Sequence, residues 1–407
     1  MVVATLGVRG AAWRAALDDD HAVRVGDAVL RWAVLAEDGW HDPSTRPPSL
    51  RRRRVLGAPV IETRVKVPGG DVACTAWAAP DRGGVVVLEW HNESPRAVAV
   101  AIGGSGGDCV VAARAASSAG ADGLAWPARS WALPHAQTVR AVVPVAPLGR
   151  GTDESRDGAA WVAALAASDR VVGAWREVAH AAGRADLPDP RAAEALVAAR
   201  CDLVLDAAPL AGLEDPVDRL LVAGEMARLR EPAPAEAWEV ADWCAAVARA
   251  GAPTRTALRA LAMGARALAE AGERQGAADV AALAARLGEP RGGAVAGDGD
   301  GTSPGSAARR AVRAIAAIEE GLARVAADGT VHVLPDGVPE AWRGAHFEAH
   351  GLVAGAAHVL SYAVRWHGAA PALLWEVTGG DGVSIVAPAV DPRFASSSAR
   401  GEVLLRS

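Results

Sequence analysis

Hydrophobic and polar positions follow three different patterns along the chain. Up to about residue 150, apolar side chains alternate with polar ones in short runs, best seen in Ile61–Val67, where three charged residues separate the apolar ones and Thr63. The Pro-Gly-Gly-Asp stretch 68–71 predicts a turn, and residues 72–77 then run back as the hairpin partner. Short strands joined by turns, without helices between them, predict an antiparallel β-sandwich over residues 1–150.

After the sandwich the apolar spacing becomes helical. Asp189 and Asp215 each precede a proline, which is the N-cap acceptor and first-turn proline that begin a helix, and Thr254 opens another. Another side of that helix carries four charged residues: Arg255, Arg259, Arg266 and Glu270. Apolar residues recurring every three or four positions predict about six or seven helices. We therefore predict a helical domain over residues 151–329, with the Gly-, Pro-, Ser- and Asp-rich stretch 289–306 as a flexible loop.

The strand pattern returns from residue 330 and predicts a small C-terminal β-domain over residues 330–407. At about 75 residues this segment has too little core to fold alone, so we expect it to pack back onto the N-terminal sandwich. We expect the helices to form an incomplete array whose open face is covered by Trp342, Trp366 and Trp375. The predicted fold class is therefore α+β and multidomain, with an antiparallel β-sandwich, a central antiparallel α-helical array and a small C-terminal β-domain.

Charge and composition exclude several classes of partner. The 407 residues carry a net charge of -6, with 42 basic against 48 acidic side chains, so a nucleic-acid partner is not predicted. The run Arg51–Arg54 is interpreted as a solvated loop. No apolar run is long enough to cross a bilayer and no signal peptide is visible. The four cysteines are widely spaced, as reduced thiols of a cytoplasmic protein would be.

Two stretches resemble known proteins. Residues 62–71, with 86–102 around Asn-Glu-Ser-Pro, are similar to the N-terminal sandwich of six-hairpin glycosidases. Residues 361–368, Ser-Tyr-Ala-Val-Arg-Trp-His-Gly, and the following 371–376 look like their C-terminal β-segment, and bacterial proteins of this layout from high-GC genomes are more similar still. The family's closed toroid has about twelve helices, whereas this helical segment has room for roughly half that number. No acidic loop motif matches the family's catalytic carboxylates, so the resemblance implies shared ancestry, a shortened toroid and no assigned catalytic residue.

Glycoside hydrolysis needs two carboxyl groups, and the strongest candidates are Glu239 and Asp242 between Trp238 and Trp243. A tryptophan face beside an acid is a reasonable sugar subsite. The alternative interpretation is a solvated helical stripe, because residues three apart share a helix face. The C-terminal segment contains two further candidate sugar-binding tryptophans, Trp366 and Trp375.

The sequence His346, Glu348 and His350 places three potential ligands on one face of an extended segment. These side chains are candidates for binding a divalent metal, but ordinary hydrogen bonding at an interface is the alternative, and we expect no metal and no cofactor. Three functional hypotheses remain open: a catalytically degenerate glycosidase-like protein that binds carbohydrate or serves as a scaffold, an active intracellular glycoside hydrolase, and a structural or assembly protein without a sugar ligand.

Overall fold

A computed structural model describes residues 4–105, 110–112, 123–145, 157–250, 254–287, 306–326, 328–368, 370–379 and 382–406. Within these residues the protein is a mixed α+β structure with eight α-helices and several largely antiparallel sheets. The chain divides into two compact units, Met1–Trp175 and Arg176–Ser407, and the division falls inside one helix. The predicted loop 289–306 lies outside the described residues except for Ser306, and so does Cys109.

The described strands of the first unit are β1 (Ala4–Gly7), β2 (Arg14–Leu17), β3 (Val23–Val25), β4 (Ala28–Ala36), β5 (Gly39–His41), β6 (Arg51–Arg54), β7 (Ile61–Val67), β8 (Gly70–Ala79), β9 (Val85–Asn92), β10 (Val98–Ser105), β11 (Val110–Ala112), β12 (Ala128–Leu133) and β13 (Thr138–Pro144). One sheet has the order β1-β2-β3-β4-β10-β12, with β5 beside β4, and the other has the order β11-β13-β9-β8-β7-β6. Helix α1 (Asp157–Ala164) follows β13 in the described chain.

The two sheets of the first unit enclose a single core, because the buried face of each strand contributes alternate residues to it. Trp32 on β4 and Trp90 on β9 meet edge to face across this core, with ring centroids 6.0 Å apart. In β7 the side chains of Ile61, Val65 and Val67 are buried, whereas Lys66 is exposed. The predicted strand and its hairpin with β8 are therefore confirmed.

The interpretation of Arg51–Arg54 as a loop is wrong, because these residues form the edge strand β6 paired with β7. Their guanidinium groups all have partners: Arg51 bonds Asp71 at 2.5 Å, Arg53 bonds Glu62 at 2.8 Å, and Arg52 and Arg54 donate to backbone carbonyls. Four charged side chains on an edge strand also disfavour pairing with another sheet.

The second unit combines helices with two sheets. The helices are α2 (Ser168–His180), which crosses into it from the first unit, α3 (Pro190–Leu205), α4 (Pro216–Arg228), α5 (Ala237–Arg249), α6 (Arg255–Glu270), α7 (Arg274–Arg286) and α8 (Ser306–Leu322). The strands are β14 (Arg184–Asp186), β15 (Ala323–Val325), β16 (Val331–Val333), β17 (Phe347–Val353), β18 (Val359–His367), β19 (Ala370–Thr378), β20 (Ile385–Ala387), β21 (Asp391–Ser396) and β22 (Arg400–Leu404).

Capping side chains begin three helices of this unit where the sequence predicts. Asp189 and Asp215 each accept a backbone N–H from the residue two positions later at 2.9 Å, and proline follows each of them. Thr254 Oγ1 accepts the N–H of Ala257 at 3.1 Å. The described chain contains eight helices, one or two more than the six or seven predicted.

Helices α4 and α6 pack closely because glycine faces the contact. A Cβ on Gly224 would lie 2.4 Å from the Cβ of Met263, and one on Gly264 would lie 2.9 Å from Leu220 Cδ2. Helix α6 also packs on α5 and α7, and α3 packs on α8. These contacts place the inner faces of α3, α4, α6 and α8 around a common interior.

The C-terminal strands share the second unit with the helices. Strand β14, an element absent from the sequence prediction, pairs with β17 and extends the sheet β14-β17-β18-β19-β22. The other sheet, β15-β16-β20-β21, begins directly after α8 and contains one parallel pair, β16 with β20. That the C-terminal segment also packs onto the N-terminal sandwich stays a prediction.

Candidate functional site

The carboxylates singled out in the sequence lie on α5. Glu239 accepts the backbone N–H of Glu236 at 2.9 Å, so its carboxylate caps the first turn of the helix. Asp242 is exposed on the outer face, while Cys244 and Val247 are buried. This arrangement favours the interpretation of the segment as an amphipathic helix with a solvated stripe.

The two tryptophans of the same helix have different surroundings. Trp238 is 66% exposed, whereas Trp243 is half-buried beneath Arg219, whose guanidinium carbon lies 5.4 Å from the ring centroid. That cation–π contact uses a ring face that a sugar would need for stacking. Only Trp238 therefore offers a free platform on α5.

The segment His346, Glu348 and His350 is extended, as predicted, and begins β17. Glu348 is held between Arg365 on β18, at 3.0 Å, and Arg184 on β14, at 3.3 Å, and His350 Nε2 lies 3.5 Å from the same carboxylate. His346 Nδ1 accepts a backbone N–H of β18 at 3.1 Å. Glu348 thus has cationic partners already, and in the described part of the chain no group of three or more His, Cys, Asp or Glu side chains is arranged to hold a metal ion.

Trp375 packs against other residues of the C-terminal strands. The ring of Trp375 covers Gly401 on β22, where a Cβ would lie 2.4 Å from the ring. Its ring meets Phe394 edge to face, with centroids 5.3 Å apart, and its indole N–H donates to Ser398 O at 3.0 Å. Trp366 is half-buried on the same face of the sheet, about 13 Å further along by strand geometry. Trp375 therefore acts in packing and is not available to a ligand.

A group of buried charges that the sequence analysis did not predict lies where α3, α4, α6 and α8 meet. We call it the buried arginine cluster, and it consists of Arg200, Glu225, Arg228, Arg259 and Glu319. Arg200 bonds Glu225 at 2.8 Å and Glu319 at 2.6 Å, and Arg228 bonds the same two carboxylates at 2.6 and 2.8 Å. Arg259 bonds Glu319 at 2.5 Å. The side chains of Arg200 and Glu319 are 1% and 2% exposed, so these ion pairs are shielded from water.

Backbone carbonyls complete the coordination of two of the arginines. Arg200 donates to Gly183 O at 2.5 Å, and Arg228 donates to Ala182 O at 2.5 Å and Gly351 O at 2.9 Å. The two glycines have φ values of 128° and 76°, and a Cβ on Gly351 would lie 2.8 Å from Gly183 Cα. The close approach of β14 and β17 at these glycines therefore presents their carbonyl oxygens to the cluster.

Opposite charges within the cluster stabilise the ionised forms of Glu319 and Arg228. Burial alone would raise the pKa of Glu319, but Arg228, Arg259 and Arg200 outweigh it and hold that pKa well below its usual range. For Arg228, burial would lower the pKa, and Glu225 and Glu319 reverse the effect and raise it. Both carboxylates and all three guanidinium groups belong to one electrostatic unit.

A signal for this cluster was present in the sequence. Arg200 lies three and four residues after Val197 and Leu196, on the apolar stripe of α3, and Glu319 lies four residues after Ile315 on the stripe of α8. A charge at a core position indicates a buried partner of opposite sign. The spacing identifies the positions as buried but not the partners, since these come from other helices.

A cavity of about 330 Å³ lies beside the cluster in the second unit. Ala262 of α6 and Ala281 and Ala284 of α7 form one wall, and the opposite side comes from the end of α8, β15, the following turn and residues 353–358 and 382–384. We call it the alanine-walled cavity. Its titratable lining residues are Arg255, Arg259, Arg324, His358, Glu320 and Asp328. Arg259 thus belongs both to the cluster and to the cavity.

The two carboxylates of the cavity have local roles. Asp328 accepts the backbone N–H of Thr330 at 2.9 Å, and this bond and a second from the Thr330 hydroxyl lower the pKa of Asp328. Glu320 lies at the end of α8, next to Glu319 of the cluster. Arg324 bonds exposed Asp336 at 2.8 Å. The cavity therefore presents cationic groups, ionised Asp328 and apolar walls to a ligand.

Comparison with known proteins adds no assignment: no protein-family model matches the chain, and no curated protein matches it. None of the helices among the described residues is long and apolar enough to cross a membrane.

Proposed function

We propose that the protein binds a small carbohydrate or carbohydrate derivative without hydrolysing it, and that the ligand occupies the alanine-walled cavity of the second unit. The observation that carries this proposal is the cavity itself, whose volume of about 330 Å³ lies at the small end of ligand sites. Its arginine, aspartate and glutamate side chains supply donors and acceptors for hydroxyl groups. The proposal agrees with the resemblance to six-hairpin glycosidases and with the missing catalytic motif.

The carboxylates argue for binding without turnover. A glycosidase needs a carboxylic acid whose pKa is raised, so that it holds a proton for the leaving group. In the cavity, the pKa of Asp328 is shifted the opposite way by Thr330, and on α5 Glu239 is occupied as a helix cap. The competing hypothesis, an active hydrolase, would have to use Glu320 as the acid and Asp328 as the base.

Isothermal titration calorimetry with a panel of neutral, carboxylated and phosphorylated mono- and disaccharides tests the proposal. Ala284→Phe fills the cavity from α7, whereas Ala282→Phe adds the same ring at an exposed position on the same helix. We expect the wild type and Ala282→Phe to bind alike and Ala284→Phe to bind at least about 10-fold more weakly. Equal binding by Ala284→Phe would place the ligand elsewhere, and a panel without any binder would remove the proposal.

Incubation with aryl glycosides tests the competing hydrolase hypothesis. We expect no turnover by the wild type. Turnover that is lost in Glu320→Gln but kept in Glu239→Gln would contradict the binding proposal and assign the acid to the cavity.

A further inference from the structure

Guanidinium groups outnumber carboxylates in the buried arginine cluster, which lies beside the alanine-walled cavity. The buried arginine cluster has three guanidinium groups against the carboxylates of Glu225 and Glu319. Arg266, on the same helix as Arg259, is a further, half-buried cation that donates to His358 O at 3.1 Å. Burial and the charge of Arg228 lower the pKa of Arg266, and Glu270, which opposes this, is exposed. The buried arginine cluster therefore has one guanidinium group more than it has carboxylates, and Arg266 is a further cation next to it.

The hydrogen bonds identify Arg259 as the member with donors to spare. Arg200 and Arg228 each bond two carboxylates and at least two backbone carbonyls. Arg259 is 8% exposed, yet its only hydrogen bond to the described residues is the one from Nη2 to Glu319, and its Nε–H has no acceptor among them. A guanidinium has five N–H donors, and leaving them unused in the interior is costly.

Two further arginines surround the same space. Arg255 lies one helical turn before Arg259 on α6, and Arg324 lies on β15 at the opposite side, where its Nε–H also has no acceptor in the described part of the chain. Asp328 and Glu320 are the opposing charges of the lining, and Asp328 already accepts the bonds of Thr330. Arg324 also bonds exposed Asp336 through both Nη atoms, which leaves its Nε–H for a ligand. Three guanidinium groups around one small cavity can donate paired N–H bonds to the several acceptor oxygens of a carboxylate or a phosphate group.

We propose that the ligand of the alanine-walled cavity is a small organic oxyanion, a sugar acid or sugar phosphate, whose charged group is bound by Arg259 with Arg255 and Arg324. This inference rests on the proposed function and names the ligand class of that site. The oxyanion supplies the negative charge that the cluster lacks, and the carbohydrate body lies against the alanines of α6 and α7. Arg259 then keeps its hydrogen bond from Nη2 to Glu319 and, after a small rotation of the guanidinium, donates its remaining N–H groups to the ligand.

Matched probes test the charge requirement on the full chain. D-glucuronate and D-glucose 6-phosphate carry the two oxyanions, D-glucose is the neutral counterpart, and inorganic phosphate is an anion without a sugar body. We expect one of the charged sugars to bind at least about 10-fold more tightly than D-glucose and than inorganic phosphate. The preferred charged sugar distinguishes carboxylate from phosphate. Equal affinity for charged and neutral sugars would overturn the oxyanion inference while leaving the cavity as the binding site, and no binding of any probe would overturn both.

The arginine is tested by Arg259→Gln with Arg286→Gln as the control. Arg286 is an exposed arginine at the end of α7 that does not line the cavity. We expect Arg259→Gln to weaken binding of the charged sugar about 10- to 100-fold, the usual effect of losing charge-assisted hydrogen bonds, and Arg286→Gln to change nothing. Unchanged affinity in folded Arg259→Gln would overturn the assignment.

Hydrogen exchange on the wild type keeps the test independent of the folding of the variant. We expect the charged sugar, but not D-glucose at the same concentration, to protect amides of α6 and of residues 353–358 from exchange. Protection confined to other segments would show that the oxyanion binds outside the cavity and would overturn the inference.

Discussion

The two units use arginine in opposite ways. On the surface of the first unit, Arg53 of β6 is 65% exposed and shares Glu62 with Arg64 of β7, which also bonds Glu93 at 2.7 and 2.9 Å. In the second unit, Arg200 and Arg228 share Glu225 and Glu319 with almost no exposure. The bond lengths are similar, so geometry alone does not distinguish the two groups.

The difference lies in what replaces a lost partner. On the sheet surface, water solvates a charge whose partner is removed, and salt screens the attraction. Between the helices no water takes that place, so each charge depends on the others and on fixed carbonyl oxygens. On the sheet an unmatched cation is solvated, whereas we propose that the unmatched guanidinium group of the buried arginine cluster is matched by the ligand of the alanine-walled cavity. The two regions therefore differ in what stabilises each charge: solvent on the sheet surface, and fixed protein partners between the helices.

The largest expected effect comes from Glu319→Gln. The substitution keeps the shape of the side chain but leaves three buried guanidinium groups with one carboxylate, so we expect the second unit to lose about 3–5 kcal/mol of stability. Glu62→Gln, the matched change in the first unit, should cost less than about 1 kcal/mol. Urea unfolding monitored by hydrogen exchange measures the free energy of unfolding of each unit separately. Similar losses in both variants would show that burial does not set the energy of these pairs.

Asp218→Asn is predicted to have an intermediate effect. Asp218 of α4 is buried, but its partners Arg309 and Arg313 of α8 are partly exposed, at 2.9 and 2.8 Å. The two arginines regain water when the carboxylate is neutralised, so we expect a loss of about 1.5–3 kcal/mol, the range for hydrogen bonds to charged groups. A loss as large as that of Glu319→Gln would mean that burial of the acid alone decides the cost. The same urea and hydrogen-exchange measurements apply.

The parts of this structure that were predictable depend on neighbours in the chain. The alternation in Ile61–Val67 and the caps at Asp189, Asp215 and Thr254 involve side chains and backbone groups within a few residues, so spacing alone identifies them. Strand β14 has three residues and forms only because β17, more than 150 positions later, pairs with it.

The candidate site was less predictable because its members come from four helices. The sequence placed Arg255, Arg259 and Arg266 together on one side of α6, away from the apolar stripe, and that side forms part of the cluster and of the cavity wall. A polar helix face is normally solvated, so spacing alone favoured the wrong environment. Charges on the apolar stripes of α3 and α8, Arg200 and Glu319, were the better signal.

Acid titration should affect the two regions in a fixed order. Burial alone would raise the pKa of Glu62, but Arg53 and Arg64 outweigh burial and lower this pKa. The pKa of Glu319 lies further below its usual value, because three buried arginines outweigh the effect of burial there. A carboxyl whose folded pKa is depressed contributes stability above its unfolded pKa, near 4.5, and loses it as pH falls through the folded value. We expect Glu62 to protonate first and Glu319 only at strongly acidic pH. Carboxyl-carbon NMR measures both, and protonation of Glu319 before Glu62 would contradict the prediction.

The smallest predicted effect is the coupling between Arg53 and Glu62, which a double-mutant cycle with Arg53→Gln and Glu62→Gln isolates. Because Arg53 is largely solvated and Glu62 keeps Arg64 at 2.8 Å, we expect a coupling energy of about 0.2–1 kcal/mol. Salt should reduce it, since the Debye length falls to about 3 Å at 1 M. The equivalent cycle with Arg259→Gln and Glu319→Gln should give a larger coupling energy that is nearly independent of salt, because water and ions do not reach that pair. Equal salt dependence of the two cycles would show that solvent enters the buried arginine cluster, and the charge excess next to the cavity would then be neutralised by ions instead of a ligand.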